Sequence, residues 1–160
     1  MTAADSQSQA LIAAMGAAAR EAAAVMALAP TAQKAAGLRA AAQALRDDCD
    51  SVLEANAQDM AAARAAGLSA AMLDRLLLDA RRVASIADGV ESVAALPDPV
   101  GQVITRWERP NGLRFERVRV PLGVVGIMGP WNFPLQLTFV PAGAAFAAGN
   151  RVLMCPSSIT

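Results

Sequence analysis

The chain has 160 residues, enough for one domain with a real core, and its 55% hydrophobic content argues against global disorder. Fourteen basic and fourteen acidic residues give zero net charge, so no overall field attracts nucleic acid or a membrane surface. The sequence has no histidine, which excludes imidazole catalysis and histidine metal ligands. We therefore expect no metal site, no nucleic-acid partner and, since charges interrupt every apolar run, no membrane span.

The two cysteines, Cys49 and Cys155, lack the spacing of a zinc site or of a disulfide framework. The N-terminus lacks the charged-then-apolar pattern of a signal peptide, so a cytoplasmic location is expected. Arginines gather between residues 106 and 119. Stacking aromatics and a strongly basic domain are missing, so a solvated strand face or a subunit contact is favoured there over a nucleic-acid surface.

The first 96 residues are predicted to be helical. An amphipathic helix over residues 9 to 29 is expected to end at Pro30, with Thr31 as the N-cap of the next helix. The acidic cluster Asp47, Asp48 and Asp50 marks a joint to a further helix. Apolar residues at spacings of three and four form the stripe of the first helix: Leu11, Ile12, Met15, Ala18, Ala22, Val25, Met26 and Ala29.

Gly67 is a candidate C-cap, Ser69 is predicted to open a short helix, and Asp79 is predicted to cap the last one. The Pro97-Asp98-Pro99 triplet is the clearest boundary in the chain. The residues expected to face inward from these two helices are Met72, Leu73, Leu76, Leu77, Val83, Ile86, Val90 and Val93.

After this boundary the apolar period changes from that of a helix to that of a strand. Residues 103 to 108 alternate, Pro110-Asn111-Gly112 supplies a turn, and a return strand follows, which predicts a β-hairpin. The apolar phase slips near Glu116-Arg117, and a β-bulge there explains the slip. Two strands alone are marginally stable in water, so the hairpin is expected to need another surface, such as a second subunit.

Residues 124 to 128 suit a fully buried parallel strand, and Gly149-Asn150 precedes a second β-type run. The sequence therefore predicts strand, helix, strand: the start of a nucleotide-binding α/β unit. Ligands of such sheets bind beyond the carboxyl ends of the strands. Here that position holds Gly129-Pro130-Trp131-Asn132-Phe133-Pro134, which is not a GxGxxG fingerprint.

Asn132 is the candidate catalytic residue of this segment. Its amide can donate a hydrogen bond to an oxyanion that develops in a dry site. The alternative is structural, because the same side chain can cap the helix that begins near Pro134. Residue chemistry alone leaves both readings open.

Two family resemblances divide the chain. Residues 1 to about 127 resemble the γ-glutamyl phosphate reductase (glutamate-5-semialdehyde dehydrogenase) family. Residues 128 to 160 are similar to general aldehyde dehydrogenases of the same superfamily. The segments that show the first resemblance are Leu53-Glu54-Ala55-Asn56, residues 61 to 76, residues 96 to 101, residues 109 to 113 and residues 118 to 127. Those that show the second are residues 130 to 134, Pro141, residues 148 to 152 and Pro156-Ser157.

The resemblance implies NAD(P)-dependent chemistry at an aldehyde or acyl carbon through a cysteine thioester. It implies that Asn132 is the oxyanion-hole amide, and that the NADP(H) or NAD(H) site includes Met128, Gly129, Pro130, Trp131 and Ser157. Two positions depart from the family. The resemblance implies a lysine and a glutamate that hold the adenosine ribose, but this chain has Cys155 in place of the lysine and Ser158 in place of the glutamate. Their loss weakens the case for tight cofactor binding.

The expected architecture is α/β, with a helical region at 1–99, a β-hairpin oligomerisation arm at 100–121, and an incomplete Rossmann-like cofactor domain with its first βαβ unit at 122–160. The intact parent is expected to reduce a small molecule, L-glutamyl 5-phosphate, with NADPH in proline biosynthesis, as a homo-oligomer. The nucleophilic cysteine and its base are expected beyond Thr160, so this N-terminal fragment is expected to be inactive. The alternatives are a fragment of a general aldehyde dehydrogenase and a non-catalytic oligomerisation module.

Overall fold

A computed structural model of the chain describes residues 3–157, and within them six helices and four strands. This mixture confirms the predicted α/β class with its helical layer, hairpin and βαβ unit. The elements are α1 (Ala3–Met26), α2 (Thr31–Asp47), α3 (Cys49–Ala65), α4 (Ala70–Leu76), α5 (Ala80–Ala94), β1 (Val103–Glu108), β2 (Arg114–Val118), β3 (Val124–Met128), α6 (Pro134–Ala147) and β4 (Arg151–Cys155).

The main core lies between α2, α5 and α6. Leu38 and Leu45 of α2 pack against Val83, Ile86 and Val90 of α5, and all five are buried. Small residues let α6 approach closely, since a Cβ at position 143 would already touch the side chains of Leu38 and Val90. Burial of each large aliphatic side chain stabilises the fold by about 1.5–3 kcal/mol, so this three-helix layer is the stable part to which the β3–β4 unit attaches.

Helix α1 contacts both strands of the β3–β4 sheet, but not with the predicted stripe. Leu11 and Ile12 are 60% and 66% exposed, while Ala19 and Ala23 are buried. The predicted inward face is therefore wrong for the large residues of its first turns, although Met26 at its end is half-buried. Small alanines on an adjacent face allow close packing on the sheet.

Three predicted helix ends are confirmed. The Ser69 hydroxyl accepts a hydrogen bond from Met72 N, and the Asp79 carboxylate accepts one from Arg82 N at 2.7 Å. Gly67 follows α3 with a φ of +74°, which favours glycine. Half of the residues predicted to face inward from α4 are wrong, because Met72 and Leu77 are exposed. Leu73 and Leu76 of this seven-residue helix pack in a cluster with Met60 and Ala63 of α3.

Thr31 is not the N-cap that the sequence predicts. It is the first residue of α2, the cap position is Pro30, and no side chain bonds to the free N–H groups there. The Thr31 hydroxyl instead donates to Asp98 Oδ2 at 2.7 Å. Lys34, only 3% exposed, forms an ion pair with the same oxygen at 2.6 Å. Asp98, in the predicted boundary triplet, thus ties the segment after α5 to α2.

The environment of Asp98 lowers its pKa. Burial alone would raise the pKa of this carboxyl group, but the bonds from Lys34, Thr31 and Val100 N together outweigh burial and hold it below its ordinary value of 3.8. A more exposed group of ion pairs joins α2 directly to α5, where Arg46 bonds Asp88 and Glu91. The hydrogen bond from Arg46 lowers the pKa of Glu91.

The β1–β2 hairpin forms as predicted, and all residues of both strands are exposed. Trp107 and Phe115 stack with ring centroids 5.3 Å apart. The irregularity lies opposite the predicted place, because two steps of β1 from Val103 to Thr105 face one step of β2 from Val118 to Arg117. The extra residue is therefore in β1, and it shifts the apolar phase of β2 relative to its partner.

Strands β3 and β4 form a parallel pair, as predicted, but β3 is not fully buried. Its residues are half-buried or exposed because, within residues 3–157, it pairs with one strand, and its main helical neighbours are α1 and α6. No helix in that range is long and apolar enough to cross a membrane. The division into regions 1–99, 100–121 and 122–160 and the cytoplasmic location stay predictions.

Candidate functional site at the carboxyl ends of β3 and β4

The two parallel strands end side by side. Met128 pairs with Cys155 as the last pair of the register, and Gly129 N donates to Cys155 O at 2.8 Å. The carboxyl edge of a parallel sheet is where α/β proteins bind ligands. The structure therefore brings the predicted site residues to this edge of the sheet, since Met128 ends β3, residues 129 to 132 follow it, and Ser157 lies two residues past β4.

A buried asparagine holds the opposite ends of the strands together. Asn150 Oδ1 accepts from Gly123 N at 3.0 Å, just before β3, and Asn150 Nδ2 donates to Ala145 O in α6 at 3.0 Å. Gly149 precedes it with a φ of +77°, and a Cβ there would lie 2.9 Å from Pro121 Cγ. The Gly-Asn pair therefore sets the register from which both strands run toward the candidate site.

Gly129 opens the loop after β3. A Cβ at this position would collide with Thr138 Oγ1 of α6 and lie 3.5 Å from Pro156 Cα. Close packing of the loop on α6 therefore requires glycine here. This packing role does not depend on a cofactor, and the predicted cofactor role of Gly129 stays a prediction.

Trp131 lies near the helical layer. It lines an open cavity of about 370 Å³ together with α3 and α4 residues that include Ala63, Met72 and Leu76. The structure thus places Trp131 across a cavity from α3 and α4, a proximity that the sequence did not indicate. Its predicted role beside the nicotinamide ribose, like that of Pro130, stays a prediction.

Asn132 is half-buried, and the N-cap of α6 is the next residue, Phe133. No side chain caps this helix, so the structural alternative for Asn132 is wrong. Phe133 has left-handed backbone angles, φ 49° and ψ 48°, and Phe133 N donates to Arg75 O of α4 at 2.9 Å. Pro134 at the start of α6 disfavours the right-handed conformation at Phe133. The side-chain amide of Asn132 is therefore not committed to helix capping.

The surface at the strand ends is apolar. Met128 is 86% exposed, Cys155 is exposed, and Pro156 follows it. Such a surface fits the flat ring and ribose side of a nicotinamide cofactor. No described side chain at these strand ends is cationic, since Cys155 stands where the resemblance expects lysine; Ser158 lies outside the described residues. The fit is therefore to the ring side of the cofactor and not to its phosphates or adenosine.

Sequence reasoning missed one buried polar residue beside the site. Asn56 of α3 is 4% exposed and bonds Leu76 O and Leu78 N, at the turn between α4 and α5. The signal was present, because Asn56 continues the helical stripe of Cys49, Val52 and Met60. An amide at an inward helical position needs partners for both of its ends.

Comparison with known proteins identifies the family. The sequence profile of the Aldehyde dehydrogenase family matches residues 1–160. The chain therefore belongs to the aldehyde dehydrogenase family.

Several similar proteins within that family are γ-glutamyl phosphate reductases. The chain is 54% identical over 148 residues to the γ-glutamyl phosphate reductase of Sphingopyxis alaskensis and 60% identical over 121 residues to that of Rhizorhabdus wittichii, covering 92% and 76% of this chain. These matches cover 34% and 28% of the relatives, so the chain spans about a third of their length. The first match is longer than 127 residues, so similarity to these reductases continues into the β3–α6–β4 unit.

Two solved structures have the same fold over this part. The γ-glutamyl phosphate reductase of Thermotoga maritima aligns with a TM-score of 0.78 at 35% identity, covering 85% of this chain and 32% of its own. That of Saccharomyces cerevisiae aligns with a TM-score of 0.79 at 25% identity, covering 88% and 35%. The chain is similar in fold to the corresponding third of both enzymes.

Proposed function

We propose that this chain supplies the oxyanion and nicotinamide-side part of a reductase that converts L-glutamyl 5-phosphate to glutamate 5-semialdehyde with NADPH, in proline biosynthesis. The observation that carries the proposal is the position of Asn132. It lies in a loop held at both sides, at the shared carboxyl edge of β3 and β4, with its amide left uncommitted by α6. The similarity to proteins named γ-glutamyl phosphate reductase supplies the substrate.

The role of Asn132 follows from the charge that acyl transfer develops. When a nucleophile adds to the acyl carbon, its carbonyl oxygen gains negative charge, and the Asn132 amide donates a hydrogen bond to that oxygen. Removal of one such donor in a water-excluded site slows the reaction about 10²–10³-fold. The nicotinamide supplies hydride when bound. Met128 and the residues up to Trp131 border the edge where its ring is expected to lie, and they keep water from that side.

The activity can be tested by a graft. Residues 1–156 would replace the matching third of the Sphingopyxis alaskensis relative, and phosphate-dependent oxidation of glutamate 5-semialdehyde with NADP⁺ would be followed in the reverse direction. We expect the graft to be active and Asn132→Ala to lower kcat about 10²–10³-fold. Gln136→Ala, an exposed position on the first turn of α6, is the matched control. An inactive but folded graft would refute the proposed function.

NADP(H) is proposed over NAD(H) from the reductase resemblance, and binding by the 160-residue chain alone is expected to be weak because Cys155 offers no ammonium group. Thermal unfolding in the presence of NADPH and of NADH measures this directly. A ligand at 100 times its Kd stabilises the native state by about 2.7 kcal/mol. A shift with NADH larger than with NADPH would contradict the choice of cofactor.

A second role is assembly, and it rests on the exposed hairpin. Its strands present stacked Trp107 and Phe115 to solvent on one face, with the Arg106–Glu116 ion pair on the other. Paired strands of this kind gain stability from a covering surface, so we propose a homo-oligomer through this arm. Sedimentation of Trp107→Thr/Phe115→Thr is expected to show a smaller species, and Arg106→Ser on the opposite face is the control. An unchanged mass in the double variant would contradict this role.

A further inference from the structure

The carbonyl end of α4 is bonded throughout to atoms outside the helix. The last carbonyl groups of any helix have no partner within it, so they must bond elsewhere. For α4 and its C-cap residue Leu77 these partners come from three other segments: α3, α5 and the loop after β3. The pairs are Asp74 O with Arg82 Nη1, Arg75 O with Phe133 N, Leu76 O with Asn56 Nδ2, and Leu77 O with Arg82 Nη1.

Asn56 is the central member of this arrangement. Its Nδ2 donates to Leu76 O at 3.0 Å and its Oδ1 accepts from Leu78 N at 2.7 Å, so one side chain spans the turn between α4 and α5. The amide is buried, and no described buried side-chain polar atom lacks a partner. Loss of either bond would leave a buried backbone group unsatisfied. Asn56 therefore determines where Arg75 O and its neighbours stand relative to α3.

The same end of α4 holds the loop that contains Asn132. On one side of Asn132, Trp131 lines an open cavity whose other walls come mainly from α3 and α4. On the other side, Phe133 N bonds Arg75 O at 2.9 Å, and Phe133 keeps left-handed angles. A non-glycine residue in that region costs about 1–3 kcal/mol and persists only where its surroundings impose it. The loop is therefore held to the sheet at Gly129, which bonds Cys155 O, and to the helical layer at Phe133, the residue after Asn132.

We infer that Asn56 is a positioning residue for Asn132, acting through the carbonyl end of α4. Asn56 orients the turn, the turn places Arg75 O, and Arg75 O holds Phe133, the residue that follows Asn132. The consequence for catalysis rests on the proposed function, in which an error of about 1 Å at the oxyanion donor slows the reaction strongly. The structural coupling from Asn56 to Phe133 is independent of the proposed function.

Amide hydrogen exchange of the ¹⁵N-labelled chain tests the coupling. Asn56→Asp keeps the acceptor for Leu78 N but removes the donor to Leu76 O. We expect the protection of the Phe133 amide to fall about tenfold or more relative to the Val83 amide in the core of α5, because the loop opens locally before the domain unfolds. In a Trp107→Phe background, Trp131 is the remaining tryptophan, and its quenching by acrylamide is expected to rise in the same variant.

Asn150→Asp is the matched control. Asn150 is buried to the same degree as Asn56 and also accepts from a backbone N–H and donates to a carbonyl, but at the opposite end of β3. A merely structural loss would lower Phe133 and Val83 protection together in both variants. The coupling requires a selective loss of protection at the Phe133 amide in Asn56→Asp alone. An equal ratio of Phe133 protection to Val83 protection in the two variants would overturn it.

Arg82→Met decides the matter if Asn56→Asp does not fold. It removes the bonds to Asp74 O and Leu77 O from a side chain that is one-third exposed. A smaller but selective fall at Phe133 is expected, and no selective fall would overturn the inference. The outcomes are separable from the proposed function: a folded graft without activity, together with selective exchange at Phe133, would refute the reaction and leave the coupling.

Discussion

The Lys34–Asp98 pair is expected to be the most important single polar contact between α2 and the segment that leads to the hairpin. Lys34→Met removes the ammonium group and leaves an Asp98 carboxylate, with a side chain 14% exposed, bonded only to Thr31 and Val100 N. Removal of one partner of a buried ion pair costs about 3–5 kcal/mol. Because Asp98 keeps two hydrogen bonds, we expect about 3 kcal/mol, at the lower end of this range.

Urea unfolding followed by circular dichroism measures this free energy, and its pH dependence tests the cause. The folded-state pKa of Asp98 is below its ordinary 3.8, so its ionisation stabilises the fold above that value and the contribution is lost as pH falls through the folded-state pKa. Lys34→Met removes the partner that favours the charged form, and protonation then relieves the unpaired charge. The difference between the two proteins should therefore be largest at neutral pH and shrink below the ordinary pKa.

If the difference in free energy of unfolding between the protein and Lys34→Met does not change with pH, this reasoning is refuted, because lost packing of the lysine stem would then explain the destabilisation. Arg46→Met is the control, since its partners Asp88 and Glu91 are exposed and its ion pairs are expected to contribute little. If Lys34→Met is too unstable to study, Thr31→Val removes one bond to the same carboxylate and is expected to cost about 1.5 kcal/mol.

Three further predictions concern backbone positions and salt. Gly129→Ala is expected to destabilise the chain by about 1–3 kcal/mol in urea unfolding, because the new methyl group meets Thr138 Oγ1, and Gly129→Ala/Thr138→Ala should recover most of that loss; no recovery would contradict the assigned clash. Gly149→Ala is expected to cost about 1–3 kcal/mol through its φ of +77° and the contact with Pro121, and an unchanged urea midpoint would show that this backbone relaxes. High salt is expected to weaken the exposed Arg46 ion pairs more than the buried Lys34–Asp98 pair. Double-mutant cycles at low and high salt measure this, and a larger salt effect on the Lys34–Asp98 pair would contradict its burial.

The sequence predicted the elements well where local chemistry decides them. Ser69 and Asp79 cap helices because each carries a side-chain acceptor before an apolar helical stripe. Gly67 follows a helix because the backbone takes a positive φ there, which glycine adopts without strain. The strand, helix and strand around Asn132 followed from apolar runs with glycine and proline between them. The family followed from specific segments, and the profile match confirms it.

Long-range partners could not be predicted in the same way. Thr31 has a side chain suited to an N-cap, but its hydroxyl donates a hydrogen bond to Asp98, 67 residues away. The stripe of α1 satisfies the helical period, yet alanines on an adjacent face make the contact with the sheet. Trp131 shares a cavity with α3 and α4, and Phe133 N bonds Arg75 O of α4. Neither feature leaves a pattern in the sequence.

The kcat of the graft with and without the Asn132 amide tests the central claim most directly. Asn132→Asp keeps the size of the side chain but replaces the donor with a carboxylate, so a developing oxyanion would meet negative charge. We predict a fall in kcat of at least about 10²-fold with a KM that changes little, since the bond is made in the transition state. A graft whose kcat is unchanged by Asn132→Asp would contradict the account.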